Sequence, residues 1–207
     1  RGLGDVYKRQ AIDALHGAMS WSLFGHIVWL GFLTMLRVLA MTVIATLIWT
    51  PVGVWIGSKP HIARFAQPLA QIGASFPVNM TFPLVVGWFV AANVSMNWGS
   101  ILLIAMGTQW YILFNVIAGA MAIPNDLKEA ARMYGLSRWN LWKTLILPAI
   151  FPFWVTGACT AAGGAWNASI VAELASWGDV SLKADGLGAY TVSYTHLRDH
   201  ETSLHLV

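Results

Sequence analysis

Charged residues are scarce in this chain. Asp, Glu, Lys and Arg make up 10% of its 207 residues, the hydrophobic types make up 57%, and the mean hydropathy is +0.61. Soluble domains carry roughly 25% charged and about 45–50% apolar residues. Several uncharged runs also exceed about 18 residues, the length at which a helix crosses a bilayer. These features exclude an ordinary soluble domain and indicate an integral membrane protein.

Residue types that carry chemistry are also few. A single cysteine, Cys159, excludes a disulfide within the chain. The apolar runs contain no Asp or Glu, whereas ion-coupled transporters typically keep a carboxylate there. We find no nucleotide-binding loop, no Ser/His/Asp arrangement and no metal site, so we predict a non-enzyme that holds no cofactor itself. The formal charge of +3 is too small to predict a nucleic-acid partner.

The two ends differ from the rest of the chain. Residues 1–10 and 192–207 are polar, lack helical or strand periodicity, and resemble translated adapter sequence. Three histidines in the second end, at H-x3-H-x4-H spacing, would otherwise suggest a metal site. We expect both ends to be sequencing artefacts, with 11–33 as an N-terminal segment and 34–191 as a truncated transmembrane domain.

Four apolar runs predict an all-α, polytopic transmembrane bundle, with spans at 38–57, 71–92, 100–123 and 148–172. At 1.5 Å per residue, about 20 residues cross the roughly 30 Å of hydrocarbon. Pro77 and Pro83 predict a kinked or broken second span. Residues 17–36 are apolar but contain His26, and either a further span or a helix in the membrane interface fits them.

The distribution of Lys and Arg predicts the orientation. Loop 58–68 has two and segment 124–147 has four, whereas 93–99 has none and 173–190 has one. The two basic segments are separated by two spans, so they share a side, which the positive-inside rule makes cytoplasmic. Arg37 is then expected at the outer boundary, where it can snorkel or attract an anion.

The polar stretch EAARMYGLSRWNLWKTLILP follows the third span. We predict that Asp126 caps a helix beginning at Leu127, with Glu129 completing a capping box. Gly135 suits the left-handed position that ends such a helix. An apolar stripe recurs at helical spacing, formed by Leu127, Ala130, Ala131 and Tyr134.

A second short helix is predicted beyond this glycine. Ser137 can cap it, and Pro148 is expected to restart the chain as the fourth span begins. The side chains predicted to face the membrane are those of Trp139, Trp142, Leu145 and Ile146. From the residues alone, a partner-docking surface and a helix that merely anchors the loop among lipid headgroups both remain open.

The spacing of this stretch adds a resemblance. Glu129-Ala130-Ala131, then Gly135 after three residues and Leu145-x-Leu147-Pro148 after nine more, resembles the EAA loop of ABC-importer permeases, with Leu145 in place of the usual Ile. The segments TMLRV, PVGVWIG and AWNASIVAE are similar to the nitrate/sulfonate/taurine branch. From about residue 34 to residue 190, the chain resembles the C-terminal half of a duplicated permease. Compared with that half, we expect this chain to be truncated before the final span.

The resemblance implies a bacterial inner-membrane permease subunit with a cytoplasmic coupling helix between the third and fourth spans. An ATPase subunit, which would hold ATP and Mg²⁺, would contact Glu129, Ala130, Ala131 and Gly135. Three further residues would link this contact to the fourth span, namely Leu145, Leu147 and Pro148. The other implied partners are an extracytoplasmic solute-binding protein, a second permease domain or subunit, and the lipid bilayer. The implied substrate is a small anion such as nitrate, a sulfonate or taurine. A secondary transporter or channel without an ATPase is the alternative.

Uncharged polar side chains lie at membrane depth in the predicted spans. They belong to Asn79, Thr81, Gln109, Asn115, Thr160, Asn167 and Ser169. Such groups face either other helices or a water-filled path. We take Asn79, Gln109, Asn115, Asn167 and Ser169 as candidates for a translocation path. Because Gln109 and Asn115 are six residues apart on one helix, they should point to different faces.

Overall fold

A computed structural model describes residues 21–177 and 180–193. Its helices are α1 (Trp21–Gly57), α2 (Pro60–Ser75), α3 (Phe82–Ala91), α4 (Met96–Met121), α5 (Asn125–Met133), α6 (Arg138–Leu141) and α7 (Leu147–Ala172). A 3-10 turn, Val78–Thr81, separates α2 from α3, and a π-helical turn, Trp142–Ile146, joins α6 to α7. Strands β1 (Leu174–Trp177) and β2 (Val180–Lys183) form an antiparallel hairpin, and residues 187–193 are helical. The end at 1–10, and all but the first two residues of 192–207, lie outside the described residues.

The polytopic helical bundle is confirmed. Three helical stretches of the described chain are long and apolar enough to cross a membrane: α1, α4 and the joined α6–α7. The pair α2 and α3 passes the same test together and is bent by 70°. The bend lies at Pro77, where the sequence predicts a kink or break. Proline causes it because its ring restricts its own φ and disfavours the helical conformation of the residue before it. The hairpin of two four-residue strands was not predicted.

Two predicted boundaries are wrong. The described part of residues 17–36 continues into the first span, because α1 runs for 37 residues without a break. Such a helix is about 55 Å long, well beyond the hydrocarbon thickness. The predicted basic loop 58–68 is largely helical, because Pro60 stands in the first turn of α2, where its missing N–H costs nothing.

Helices α1 and α4 run parallel to each other. Arg37 contacts Asn97 near the start of α4, and a Cβ on Gly57 would lie 2.6 Å from Ala120 Cβ near its end. Close approach also marks the α4–α7 contact, where a Cβ on Gly157 would lie 2.8 Å from the Tyr111 carbonyl oxygen. Small residues permit this spacing, which is how helices pack in membranes without a hydrophobic driving force.

The contacts at the two ends of the bundle agree with the loop-charge pattern. Glu173, just after α7, forms an ion pair with Arg37. The segment that follows α7 therefore lies at the same end of the bundle as the start of α4. Ser58 and Lys128 line one cavity at the other end. The two basic segments therefore share one end, which we call the basic end, and the positive-inside rule assigns it to the cytoplasm.

A buried ion pair joins the elements at the opposite end. Arg37 Nη1 donates to Glu173 Oε1 at 2.9 Å, and Glu173 is 0% exposed. Thr34 Oγ1 donates to the same carboxylate oxygen at 2.8 Å, and the Gly188 N–H donates to Oε2 at 2.8 Å. The expectation that Arg37 snorkels is thus wrong, because a carboxylate from another element neutralises it inside the protein.

The rest of the guanidinium is held by Asn97. Arg37 Nε donates to the Asn97 carbonyl at 3.3 Å, and Nη2 donates to Asn97 Oδ1 at 2.9 Å. Asn97 Oδ1 also accepts the Asp185 N–H at 3.0 Å. We call Thr34, Arg37, Asn97 and Glu173 the outer clamp, since these four side chains tie α1, α4, the end of α7 and the segment after the hairpin together.

Removing the charge of Glu173 should destabilise the bundle. In Glu173→Gln an amide replaces the carboxylate and leaves the buried Arg37 guanidinium unpaired, and breaking a buried pair in this way typically costs about 3–5 kcal/mol. We expect a clearly lower midpoint of thermal unfolding in detergent. Asp185→Asn is the matched control, because it removes the same charge from an exposed residue at the same end, and the new amide oxygen can still accept the bond that Asn97 Nδ2 donates at 3.4 Å. Equal midpoints for the two variants would contradict the role assigned to the clamp.

Candidate functional site

The EAA stretch forms α5, which lies at the basic end of the bundle. The helix begins at Asn125 with Pro124 in the capping position, and no side chain caps it. The predicted cap by Asp126 is therefore wrong. The helix begins two residues earlier than predicted, and Asp126 lies in the first turn, where its charge favours the helix dipole.

One side of α5 rests on the bundle and the other faces outward. Ala131 is the buried residue of this helix, and its small side chain allows the close approach. Glu129 is exposed, and beside it Met133 and Tyr134 are 88% and 84% exposed. The predicted apolar stripe is therefore only partly packed against this chain, and a charged residue with large apolar neighbours is left uncovered.

The predicted left-handed conformation of Gly135 at the end of α5 is confirmed, and we call this turn the elbow. Gly135 has φ +61°, and its N–H donates to the Arg132 carbonyl at 3.0 Å. The Leu136 N–H reaches back to the Ala131 carbonyl at 3.2 Å. These two bonds form a Schellman motif, which fixes the direction in which the chain leaves α5.

The second half of the stretch departs from the prediction. Ser137 Oγ accepts the Asn140 N–H at 3.4 Å, as expected of a cap. Pro148 does not restart the chain, because helical structure continues from α6 into α7 through the π-helical turn. In that turn the Leu147 N–H bonds to the Trp142 carbonyl, five residues back. The wider turn accommodates the proline ring, which would clash with the carbonyl four residues before it in a regular helix.

This geometry places the remaining coupling candidates along one continuous helical path. Leu145 is half-buried against the core, while Leu147 and Pro148 are exposed. Trp142 and Ile146 are also half-buried against the core, so the expectation that these two and Leu145 face the membrane is wrong. Trp139 is exposed, as predicted.

Three of the five path candidates make contacts inside the helical bundle. Gln109 Oε1 accepts the Trp49 Nε1–H at 2.9 Å, which links α4 to α1. Asn115 Nδ2 donates to a carbonyl of its own helix, one turn earlier, at 2.7 Å. Ser169 is buried and its hydroxyl donates to the Trp166 carbonyl at 2.7 Å.

The other two path candidates are exposed and lie apart in the chain. Asn79 lies in the 3-10 turn and Asn167 on α7. Asn167 continues a row of exposed small or polar residues at spacings of three and four: Thr156, Thr160, Gly163 and Asn167. This spacing places them on one face of α7, which we call the polar face. The two threonine hydroxyls donate to carbonyls of their own helix, at 3.1 and 2.8 Å. The Asn167 amide would be costly against lipid at membrane depth, so the polar face is suited to water or another protein.

Sequence reasoning missed several residues that the structure brings into these sites. Thr156 could have been found from its four-residue spacing to Thr160. Arg37 indicates that a counter-charge lies nearby, because an arginine within a long apolar helix requires one, but no spacing identifies Glu173 as that residue.

Gly135→Ala tests the elbow. A non-glycine residue in the left-handed region costs about 1–2 kcal/mol, so the variant should unfold at a lower temperature than the wild type. Gly163→Ala is the matched control, because a Cβ meets nothing within 4 Å at either glycine and only Gly135 has a positive φ. Gly163→Ala should be neutral or slightly stabilising, since alanine favours a helix more than glycine does. A thermal melt that ranks the two variants in the opposite order would contradict the elbow.

Comparison with known proteins identifies the family. Residues 49–194 match the family described as "Binding-protein-dependent transport system inner membrane component". A nitrate import permease protein of Synechococcus elongatus is 30% identical over 65% of this chain and 44% of its own length. A bicarbonate transport system permease protein of the same species is 29% identical over 80% of this chain and 58% of its own. A taurine transport system permease protein of Escherichia coli is 27% identical over 81% of this chain and 58% of its own.

The chain thus spans about half the length of the curated relatives it matches. These relatives are transport permeases rather than enzymes, and the spans of this chain agree with a multi-pass membrane protein. The chain belongs to the family of inner membrane components of binding-protein-dependent transport systems, on the branch that includes nitrate, bicarbonate and taurine permeases.

Proposed function

We propose that this chain forms part of the translocation path of an ATP-driven importer and docks an ATPase subunit through α5. The observation that carries the proposal is the outward surface of α5, where Glu129 lies near exposed Met133 and Tyr134 while Ala131 holds the helix on the bundle. Large exposed apolar side chains next to a charge are typical of a protein-binding surface. ATP and Mg²⁺ belong to the ATPase subunit in this proposal.

The helical path explains how docking would act on the membrane part. The Schellman motif fixes α5 to α6, and α6 continues through the π-helical turn into the 26 residues of α7. A displacement of α5 by the ATPase is then passed along about 39 Å of helix towards the outer clamp. ATP binding on the partner would bias two arrangements of the bundle, as rigid elements transmit such changes.

The substrate that we propose is a small anion, like those named for the nitrate and bicarbonate relatives. The polar face of α7 carries no fixed charge, and its available donor is the amide of Asn167, since the hydroxyls of Thr156 and Thr160 donate to carbonyls of their own helix. Uncharged donors suit passage, because binding must be weak enough for the ion to leave. A second permease domain or subunit would form the opposite wall, and an extracytoplasmic binding protein would deliver the substrate at the outer-clamp end.

Reversing the charge of Glu129 tests the docking surface. Glu129→Arg in the full-length permease, assembled with its ATPase and binding protein, should reduce substrate-stimulated ATP hydrolysis at least tenfold, because a like charge would then meet the partner's basic group. The control is Asp126→Arg, an equal charge reversal on the same helix outside the EAA motif, which should retain most of the activity. Normal coupling in Glu129→Arg, or an equal loss in both variants, would argue against docking through Glu129.

Thiol labelling tests the polar face. Cys159 is exposed on α7 next to Thr160 and is the only cysteine of the chain. If water reaches this face, a charged, membrane-impermeant thiol reagent should label Cys159 in the assembled transporter. The comparison is Val43→Cys in a Cys159→Ala background, since Val43 is an exposed apolar position on α1.

We expect the α1 cysteine to react only with a lipid-soluble reagent. Labelling of both cysteines by the lipid-soluble reagent alone would contradict a water-filled path along the polar face.

A further inference from the structure

A cavity of about 210 Å³ lies between α5 and the end of the bundle. Most of its walls are apolar, formed by Val54, Ile123, Ala131, Leu136, Leu141, Leu145 and Ile146. The contact of α5 with the bundle is therefore not closely packed. For scale, an apolar cavity of about 150 Å³ in another protein binds benzene, so this one has room for several carbon atoms.

Two cations stand on the α5 wall of the cavity. Lys128 and Arg132 are four residues apart and thus share one face of the helix. No acidic residue lines the cavity, and neither side chain makes a hydrogen bond or ion pair with any other described residue. Ser58, the remaining polar wall residue, already donates its hydroxyl to the Val54 carbonyl at 2.7 Å. The two positive charges repel each other, and no carboxylate of the described residues forms an ion pair with either.

The same end of the bundle carries interfacial anchors. Lys59 Nζ lies 4.2 Å from the centre of the Trp55 ring, and Lys143 Nζ lies 5.3 Å from that of Trp139. Both tryptophans are exposed. Exposed tryptophans with adjacent lysines are typical of the level at which lipid headgroups lie. The cavity is therefore within reach of phospholipids.

We propose that this cavity binds one anionic phospholipid, whose phosphate pairs with Lys128 and Arg132 and whose acyl chain enters between the apolar walls. A small hydrated anion would gain nothing from those walls, and a zwitterionic lipid would compensate the two cations less well. The bound lipid would fill the gap under α5 and support it from the membrane side. The proposal rests on the geometry of the chain alone and does not require that α5 docks an ATPase.

Native mass spectrometry of the purified full chain in mild detergent tests the proposal. The chain is offered equal amounts of phosphatidylglycerol and phosphatidylcholine with identical acyl chains. We expect one phosphatidylglycerol to be retained with a preference of roughly tenfold, because each cation near a lipid surface contributes several-fold. Lys128→Gln/Arg132→Gln should abolish the preference. Arg138→Gln/Lys143→Gln, which removes the same charge at the same end outside the cavity, should keep it.

Two further variants separate binding from folding and from bulk charge. Lys128→Arg/Arg132→Lys keeps both charges and should keep the preference. Ala131→Leu fills the cavity with both cations in place and should release the lipid. Absence of any preference in the wild type, an equal loss in both Gln double variants, or full retention in Ala131→Leu would overturn the proposal. Displacement of the lipid by millimolar glycerol phosphate would also overturn it, because the two cations would then bind a phosphate without any contribution from the apolar walls.

Discussion

The arrangement of the bundle depends on the ion pair between Arg37 and Glu173. Removing two charges from water is expensive, and a buried pair is tolerated only when further hydrogen bonds satisfy the remaining donors and acceptors. Here Thr34 and a backbone N–H after the hairpin donate hydrogen bonds to the Glu173 carboxylate, and Asn97 accepts hydrogen bonds from the Arg37 guanidinium. Because these groups come from distant parts of the chain, the pair can form only when the outer end is assembled as a whole.

The clamp also explains two features of the backbone around it. Helix α1 passes through Arg37 without a break because the charge is neutralised where it lies, and no turn is needed to bring it to water. The segment after the hairpin approaches so closely that a Cβ on Gly186 would overlap the Glu173 carboxylate, and one on Gly188 would overlap the backbone of Ser169. Glycine is required at these two positions because larger residues would push the donors away.

The spans and the elbow could be predicted from the sequence, but the clamp could not. Uncharged runs of sufficient length require a membrane-spanning helix whatever they pack against, and a glycine at the end of a short amphipathic helix indicates a left-handed residue by local geometry alone. Arg37 and Glu173 are 136 residues apart, and no local sequence pattern around either residue indicates that the other is its partner.

The same distinction holds for the candidate sites. The π-helical turn at Trp142–Ile146 follows from a clash of Pro148 with the preceding turn, and spacing alone does not show whether a helix will widen or end there. Gln109 and Asn167 are both polar groups at membrane depth in the sequence. Only the fold shows that the first bonds to Trp49 while the second is exposed.

We propose that α5 and α7 move as one body, so that a partner bound to α5 displaces α7. Pulsed electron paramagnetic resonance on spin labels at Met133 and Ile170, both exposed, measures this directly in the assembled transporter. We predict the same distance distribution for this pair without nucleotide and with ATP trapped, and a changed distribution for a label pair at Met133 and Val43 of α1. A shift within the Met133–Ile170 pair, with the α1 pair unchanged, would show that α5 moves alone and would contradict the account.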